Sequence, residues 1–273
     1  MTYVLGSRRQ QPVAKPAEGE VHLLGTGEKH IVRIELSSVT KVFREADGPV
    51  LKEISYVFEE GVFVALMGRS GSGKSTLLNV MSGIEPVTSG SVYYDKKNIF
   101  DIGDRERSRL WAHKTTTIFQ DYNLLEFLTA RENIVLGQKV SGGRRSGLSA
   151  AEALRRVGLE GFEDKRPDEL SGGQCQRVAI ARAISVNPSV IFADEPTGAL
   201  DEDNAQMVVQ LLKDIAASGV TVIMVTHDVD VASQADKVLE LNDGQISRVI
   251  ESPTSEELFQ ANDDDTEYRR ELK

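Results

Sequence analysis

Cysteine and histidine are scarce in this chain, and each shortage closes off a chemistry. Cys175 is the one thiol in 273 residues, so an intramolecular disulfide framework and a zinc cluster of several cysteines are both excluded. His22, His30, His113 and His227 are scattered, with no spacing that reads as a metal-binding pair. Long apolar runs are missing as well. Stretches such as Val62–Met67 and Val220–Val225 are strand-sized, against the roughly 18 residues a membrane-spanning helix needs. Met1–Gln11 carries two arginines with no apolar stretch behind them, so no secretory signal is visible. Basic residues are outnumbered: 32 Lys and Arg face 42 Asp and Glu, a net charge of −10. That balance argues against broad nucleic-acid binding, which needs a basic footprint on phosphates. The expectation is a cytoplasmic chain with no direct membrane insertion and no nucleic-acid partner.

What is present is ordinary globular composition, 40% hydrophobic and 27% charged, enough to bury a core and too apolar for a mostly disordered chain. Residues 1–30 have little apolar periodicity and read as a flexible tail. Residues 251–273 read as a solvated acidic tail; the run Asp263, Asp264, Asp265 fits that better than a metal site. Between them, residues 31–250 form one continuous stretch. Alternation in Ile31–Leu36 and Ile54–Phe58 predicts half-buried antiparallel strands. Four apolar runs, Val62–Met67, Thr115–Phe119, Val190–Ala193 and Val220–Val225, read as doubly buried strands of a parallel sheet. Helical patterns separate them, so the fold class is α/β with a mostly parallel core sheet and an antiparallel β subdomain. Residues 123–170 lack such a strand and are expected to form a helical insertion. Within it, Ser149 and Glu152 make a capping-box pair and Gly158 suits a helix end.

Gly68-Arg69-Ser70-Gly71-Ser72-Gly73-Lys74-Ser75-Thr76 satisfies G-x-x-x-x-G-K-[ST] directly after one of these strands and before an apolar helix pattern. Glycines let successive amides curve around a phosphate, and the helix start adds partial positive charge. Lys74 can reach the β- and γ-phosphates, and the Ser75 hydroxyl can ligate Mg²⁺. A Gly/Ser turn with a surface lysine would not require the flanking strand and helix. Asp194 and Glu195 end another predicted parallel strand, at the edge where ligands bind. Asp194 is placed to hold Mg²⁺, and Glu195 to orient or deprotonate an attacking water. Two carboxylates facing a triphosphate need the metal to offset their charge. Leu170-Ser171-Gly172-Gly173-Gln174 opens a further helix, offering a hydroxyl and free amides to an anion or, more plainly, an N-cap. Ser141-Gly142-Gly143-Arg144-Arg145 shares the Ser-Gly-Gly but no apolar helix follows, so it reads as a loop.

These residues resemble the ATP-binding subunit of ABC transporters, a P-loop NTPase class. The phosphate loop matches the family's Walker A, Leu170–Gln174 its signature, and Val190–Glu195 its Walker B with the catalytic glutamate. Gln120 matches the Q-loop glutamine, Ala199-Leu200-Asp201 the D-loop and His227 the switch histidine, all in the family's order over about residues 31–250. The resemblance implies ATP with Mg²⁺, Gln120 touching metal or water, and His227 near the γ-phosphate. It also implies a head-to-tail pair of copies, in which Ser171–Gln174 of one faces the γ-phosphate held by the other, driving transmembrane permease subunits at the cytoplasmic face of the cell membrane.

Phe43 stands near where the family places an aromatic against adenine; a strand-end core residue is the competing reading. Cys175 reads as an inert small residue rather than a reactive thiol, and Trp111 and His113 as packing or solvent-facing. Asn123-Leu124-Leu125, Leu128-Thr129-Ala130, Glu132-Asn133-Ile134 and Thr197–Asp201 resemble the macrolide-export, lipoprotein-release and antimicrobial-peptide-export branch, implying export or extraction of a lipophilic or peptide substrate. The alternatives are a non-transport ATPase of this class acting on DNA or ribosomes, and one regulating a membrane partner such as a cell-division complex. The acidic balance and single module speak against the first; only the partner separates the second.

Overall fold

The computed structural model describes residues 32–44, 48–142 and 147–259. Two sheets carry the molecule. The smaller contains β1 (Ile34–Lys41), β2 (Leu51–Phe58), β4 (Ser89–Tyr94) and β5 (Lys97–Asn98) in the order β2-β1-β4-β5, antiparallel throughout. The larger contains β3 (Phe63–Met67), β6 (Thr115–Ile118), β7 (Val190–Asp194), β8 (Thr221–Val225), β9 (Lys237–Asn242) and β10 (Gln245–Glu251). Its order is β10-β9-β3-β8-β7-β6, and every pairing is parallel except β9 with β10.

Alternation along the central strands explains why both faces are dry. Phe63, Ala65 and Met67 of β3, with Ile191, Ala193, Val222 and Met224, face one core; Val64, Leu66, Phe192, Ile223 and Val225 face the other. The first core is closed by α3 (Ala130–Val140), α4 (Ala150–Arg156), α5 (Gly172–Ser185) and α6 (Glu202–Ala217). The second is closed by α1 (Lys74–Met81), through Leu77, Leu78, Val80 and Met81, and by the antiparallel sheet. With both faces covered, the runs of β-branched and apolar residues in β3, β7 and β8 have nowhere else to go. α2 (Asp104–Lys114) buries none of its residues and leans on the core through Trp111, whose Nε1 donates to Ser82 O at 2.6 Å. α7 (Val229–Ala232) is a single turn after β8.

Residues 123–170 carry α3 and α4 and, among the described residues, no strand. Ser149 Oγ accepts from the Glu152 amide at 3.2 Å, the hydroxyl side of the expected box, while Glu152 Oε1 accepts from Arg156 at 2.8 Å. At the other end Gly158 takes φ 70°, and Leu159 N–H donates to Leu154 O at 2.8 Å, the Schellman closure. Residues 251–259, expected to open an acidic tail, are packed on the fold. β10 runs through Glu251, and Leu258 is buried, because the chain folds back to cover the first core. The expected N-terminal tail, Asp263–Asp265 and Gly143–Arg145 lie outside the described residues. Two hairpins went unforeseen: β4–β5 and β9–β10. The second turns on Asp243 (φ 48°) and Gly244 (φ 76°), an Asp-Gly pair whose left-handed torsions suit a tight hairpin.

Candidate nucleotide-binding site

β3, β6, β7 and β8 run the same way, so their C-terminal ends share one edge of the sheet. The phosphate loop leaves β3 there, Gln120 follows β6, Asp194 ends β7 with Glu195 next, and His227 follows β8. Parallel topology alone therefore gathers residues from four separated segments.

The loop is shaped by its glycines. Gly68 has φ 141°, and a Cβ there would collide with Leu241 O; Gly73 has φ 101°, with Leu51 Cδ2 only 2.9 Å from where its Cβ would lie. Gly71, Arg69 and Ser70 form an exposed tip. Lys74 is buried and folds back, its Nζ donating to Gly68 O at 2.8 Å and Arg69 O at 3.0 Å. Burial pushes its pKa down, and Glu195 and Asp194 pull it partly back. The Ser72 hydroxyl is buried with no hydrogen-bond partner. Gly73, left-handed, is the N-cap of α1 and no side chain caps that helix, so its first amides are open to a ligand. Half-buried Thr76 completes the helix's first turn. A cation, open amides and an orphaned hydroxyl on one loop fit a polyphosphate.

Beside the loop, Ser75 Oγ donates to Asp194 Oδ1 at 3.2 Å. Burial raises the Asp194 pKa; the Ser75 bond opposes this and the Glu195 charge adds to it. Glu195 sits at φ 45°, its amide donating to Val225 O at 3.1 Å. Its Oε2 is 3.3 Å from His227 Nδ1. The His227 side chain is 68% exposed, which rules out a satisfied core histidine. A Cβ on Gly198 would lie 3.1 Å from Gln120 Nε2 and 3.3 Å from Glu195 Oε2, so this glycine lets carboxamide and carboxylate converge. Among the described residues no group of three His, Cys, Asp or Glu could hold a metal. Ser75 and Asp194, in contact with each other, would supply oxygens for a hard cation such as Mg²⁺, with Gln120 a further candidate ligand.

Phe43 is 56% exposed, with the Lys41 ammonium 4.9 Å from its ring centroid, so the core reading fails and the ring remains available for stacking. Ser171 is the N-cap of α5, as the sequence suggests. Its Oγ accepts from the Gln174 amide at 3.3 Å while its own amide donates to Gln174 Oε1 at 2.8 Å. The neighbours of this helix start are not the phosphate loop. A Cβ on Gly172 would meet Tyr122 Oη at 2.8 Å, and one on Gly173 would collide with Asn204. Cys175 is buried against Pro167 O, and burial raises its thiol pKa, so it is inert. Sequence reasoning missed Gln176, whose Nε2 donates to Pro196 O at 2.8 Å just past Glu195, and Arg182, which binds the turn after Gln120. Neither carries a local signal; both contacts are long-range. It also missed Asp243–Gly244 behind the loop, where the Gly244 amide donates to Ser72 O at 3.2 Å, although the Asp-Gly pair was readable.

This fold and loop define a P-loop nucleotide-binding α/β protein. Residues 51–198 match the family described as ABC transporter. An ABC transporter ATP-binding protein of Methanocaldococcus jannaschii, MJ0796, is 41% identical over 79% of this chain and 95% of its own. The macrolide export ATP-binding/permease protein MacB of Mannheimia succiniciproducens is 44% identical over 78% of this chain, which spans only 34% of that protein. A solved structure of MJ0796 as a dimeric cassette has a TM-score of 0.73 at 39% identity, covering 81% of this chain and 99% of that one. The chain belongs to the ABC transporter family and is an ATP-binding cassette ATPase.

Proposed function

We propose that this chain is the ATP-binding and hydrolysing subunit of an export or extraction transporter, working as a head-to-tail pair of copies on a separate membrane permease. The carrying observation is the convergence of Lys74, Ser75, Asp194, Glu195, Gln120 and His227 at one sheet edge. In this reading ATP lies in the loop Gly68–Thr76 with its base against Phe43. Ser75, Asp194 and Gln120 hold Mg²⁺, which offsets charge between the triphosphate and the two carboxylates. Lys74 gives up its carbonyl partners for phosphate oxygens and neutralises charge as the γ-phosphate leaves. Glu195 orients and deprotonates the attacking water, and His227 holds that carboxylate in place and reaches toward the γ-phosphate.

A second copy is supported by the separate surroundings of the two anion-seeking helix starts. Ser171–Gln174 packs on Tyr122 and Asn204 rather than on its own phosphate loop, so a twofold partner is the phosphate it can reach. A structure of MJ0796 described as dimeric and post-hydrolysis, bound to ADP and Pi, supports the same assembly, with a TM-score of 0.72. A permease partner is supported by the name of MacB, which joins ATP-binding and permease parts, and by apolar side chains exposed on and before α3: Leu125, Phe127, Leu136 and Val140. Among the described residues no helix is long and apolar enough to cross a membrane, so the chain would sit on the cytoplasmic face through that partner.

The test is Glu195→Gln. Turnover of Mg-ATP should fall by roughly 10²–10⁴-fold while ATP binding persists; near-normal hydrolysis contradicts the site. Copurification with a membrane protein bearing a large extracytoplasmic domain supports export, and recovery with an importer permease overturns it.

A further inference from the structure

Immediately after Gln120 the backbone does something unusual. Tyr122 (φ 60°) and Asn123 (φ 48°) are consecutive residues other than glycine in the left-handed region, where Cβ crowds the main chain. Nothing local compels this turn; the hydrogen bonds Tyr122 N–H to Phe119 O (3.2 Å) and Asn123 N–H to Asp121 O (2.6 Å) close it without relieving it.

What holds it is Arg182, from the third turn of α5. Nη1 donates to Asn123 O at 2.5 Å and Nη2 to Tyr122 O at 3.0 Å, so one planar fork spans both strained peptides. Burial lowers the guanidinium pKa, and the fork turns its donors to these two carbonyls. The stem is placed as tightly as the head. A Cβ on Gly137 of α3 would lie 2.9 Å from Arg182 Cγ, so only glycine lets the side chain pass between α3 and α5. At the other end of the turn the Tyr122 hydroxyl lies 2.8 Å from the Cβ position of Gly172, at the first residue of α5. The turn is thus pinned to α5 at its start and again ten residues on, while Gln120 extends from it to meet Glu195 across Gly198.

We propose that Arg182 is a positioning residue: by clasping the Tyr122–Asn123 turn to α5 it sets where the Gln120 carboxamide stands relative to Glu195. The proposal rests on the role given above to Gln120. It explains a fork of charge-assisted bonds spent on two backbone carbonyls, and it gives α5, whose N-terminus is Ser171, a direct hold on the opposite end of the nucleotide site.

The experiment is a double-mutant cycle on the full chain, reading kcat, KM for ATP and the Mg²⁺ concentration for half-maximal turnover. Arg182→Met keeps the stem beside Gly137 and removes the fork. It should lower kcat by between about tenfold and 10²-fold and raise the Mg²⁺ requirement, with KM for ATP within about twofold. Gln120→Ala should do the same, and the double variant should be no worse than Gln120→Ala alone. Asn123→Gly, which takes a left-handed φ without a Cβ clash, should restore part of the loss in Arg182→Met. Should Arg182→Met fail to fold, Arg182→Gln takes its place in the cycle, since its carboxamide ends about where the Arg182 Nε stands and falls short of both carbonyls. Additive losses, or no rescue by Asn123→Gly, overturn the role of Arg182 while leaving that of Gln120 intact. Unchanged turnover and Mg²⁺ dependence in Gln120→Ala overturns the reading of Gln120 and the proposal with it.

Discussion

The two helix starts offered to phosphate, α1 and α5, satisfy their first amides in opposite ways. α1 begins behind left-handed Gly73 with no side-chain cap and an unpartnered Ser72 hydroxyl beside it. α5 begins behind Ser171 with a closed reciprocal box, each of Ser171 and Gln174 using the other's amide. The first is left incomplete by the fold and costs least when an anion completes it. The second is partly closed: the Gln174 amide is taken by Ser171 Oγ, so an anion there meets the Ser171 O–H and the glycine amides that the box leaves over. On the proposed reading a lone chain binds nucleotide at α1, and α5 contributes when a second, loaded surface arrives.

That contrast can be broken by substitution. Lys74→Ala should weaken ATP binding to the lone chain by about 10²-fold, because the triphosphate loses its cationic partner; equilibrium titration with a fluorescent ATP analogue measures it, and an unchanged affinity removes α1 from the site. Phe43→Ala should weaken the same binding by about tenfold, the usual scale of one base–aromatic stack, whereas Phe43→Tyr should bind like the parent. Ser171→Ala should leave the lone chain's ATP affinity unaltered. It should destabilise the fold by about 1 kcal/mol, the ordinary cost of a lost N-cap, and weaken only ATP-driven pairing. A drop in lone-chain affinity would put α5 in the same site as α1.

Asp194 gives the smallest effect. Burial holds its pKa above the ordinary value, so in the window between the two the folded chain binds more protons than the unfolded one. Its contribution to stability therefore falls as pH rises through that window. Asp194→Asn should flatten that part of the thermal-unfolding profile; a slope equal to the parent's would mean the carboxylate is not desolvated.

The core of this site was legible in the sequence because its chemistry is local. Gly68–Thr76 needs a strand before it and a helix after it, and both were written in the adjoining residues. Asp194 and Glu195 were legible because a buried apolar run ends at them. Ser171 was legible as a cap, and the structure shows why a cap motif alone understates it: the glycines after it are enforced by Tyr122 and Asn204, from other segments. Contacts that span the fold left no trace in any window. Arg182 reads as one more helix residue, and Gly198 as one more loop glycine, until β6, β7 and α5 are brought together. The β9–β10 hairpin was readable from Asp243–Gly244; nothing in its sequence tells that its turn would back the phosphate loop.

The most direct test of nucleotide-driven pairing is the solution mass of the Glu195→Gln chain with and without Mg-ATP, by sedimentation velocity, alone and with the permease proposed as its partner. The account predicts a monomer that becomes a dimer on adding ATP, and a weaker shift when Ser171→Ala is combined with it. A mass that stays monomeric with saturating ATP, even when the permease is supplied, contradicts it.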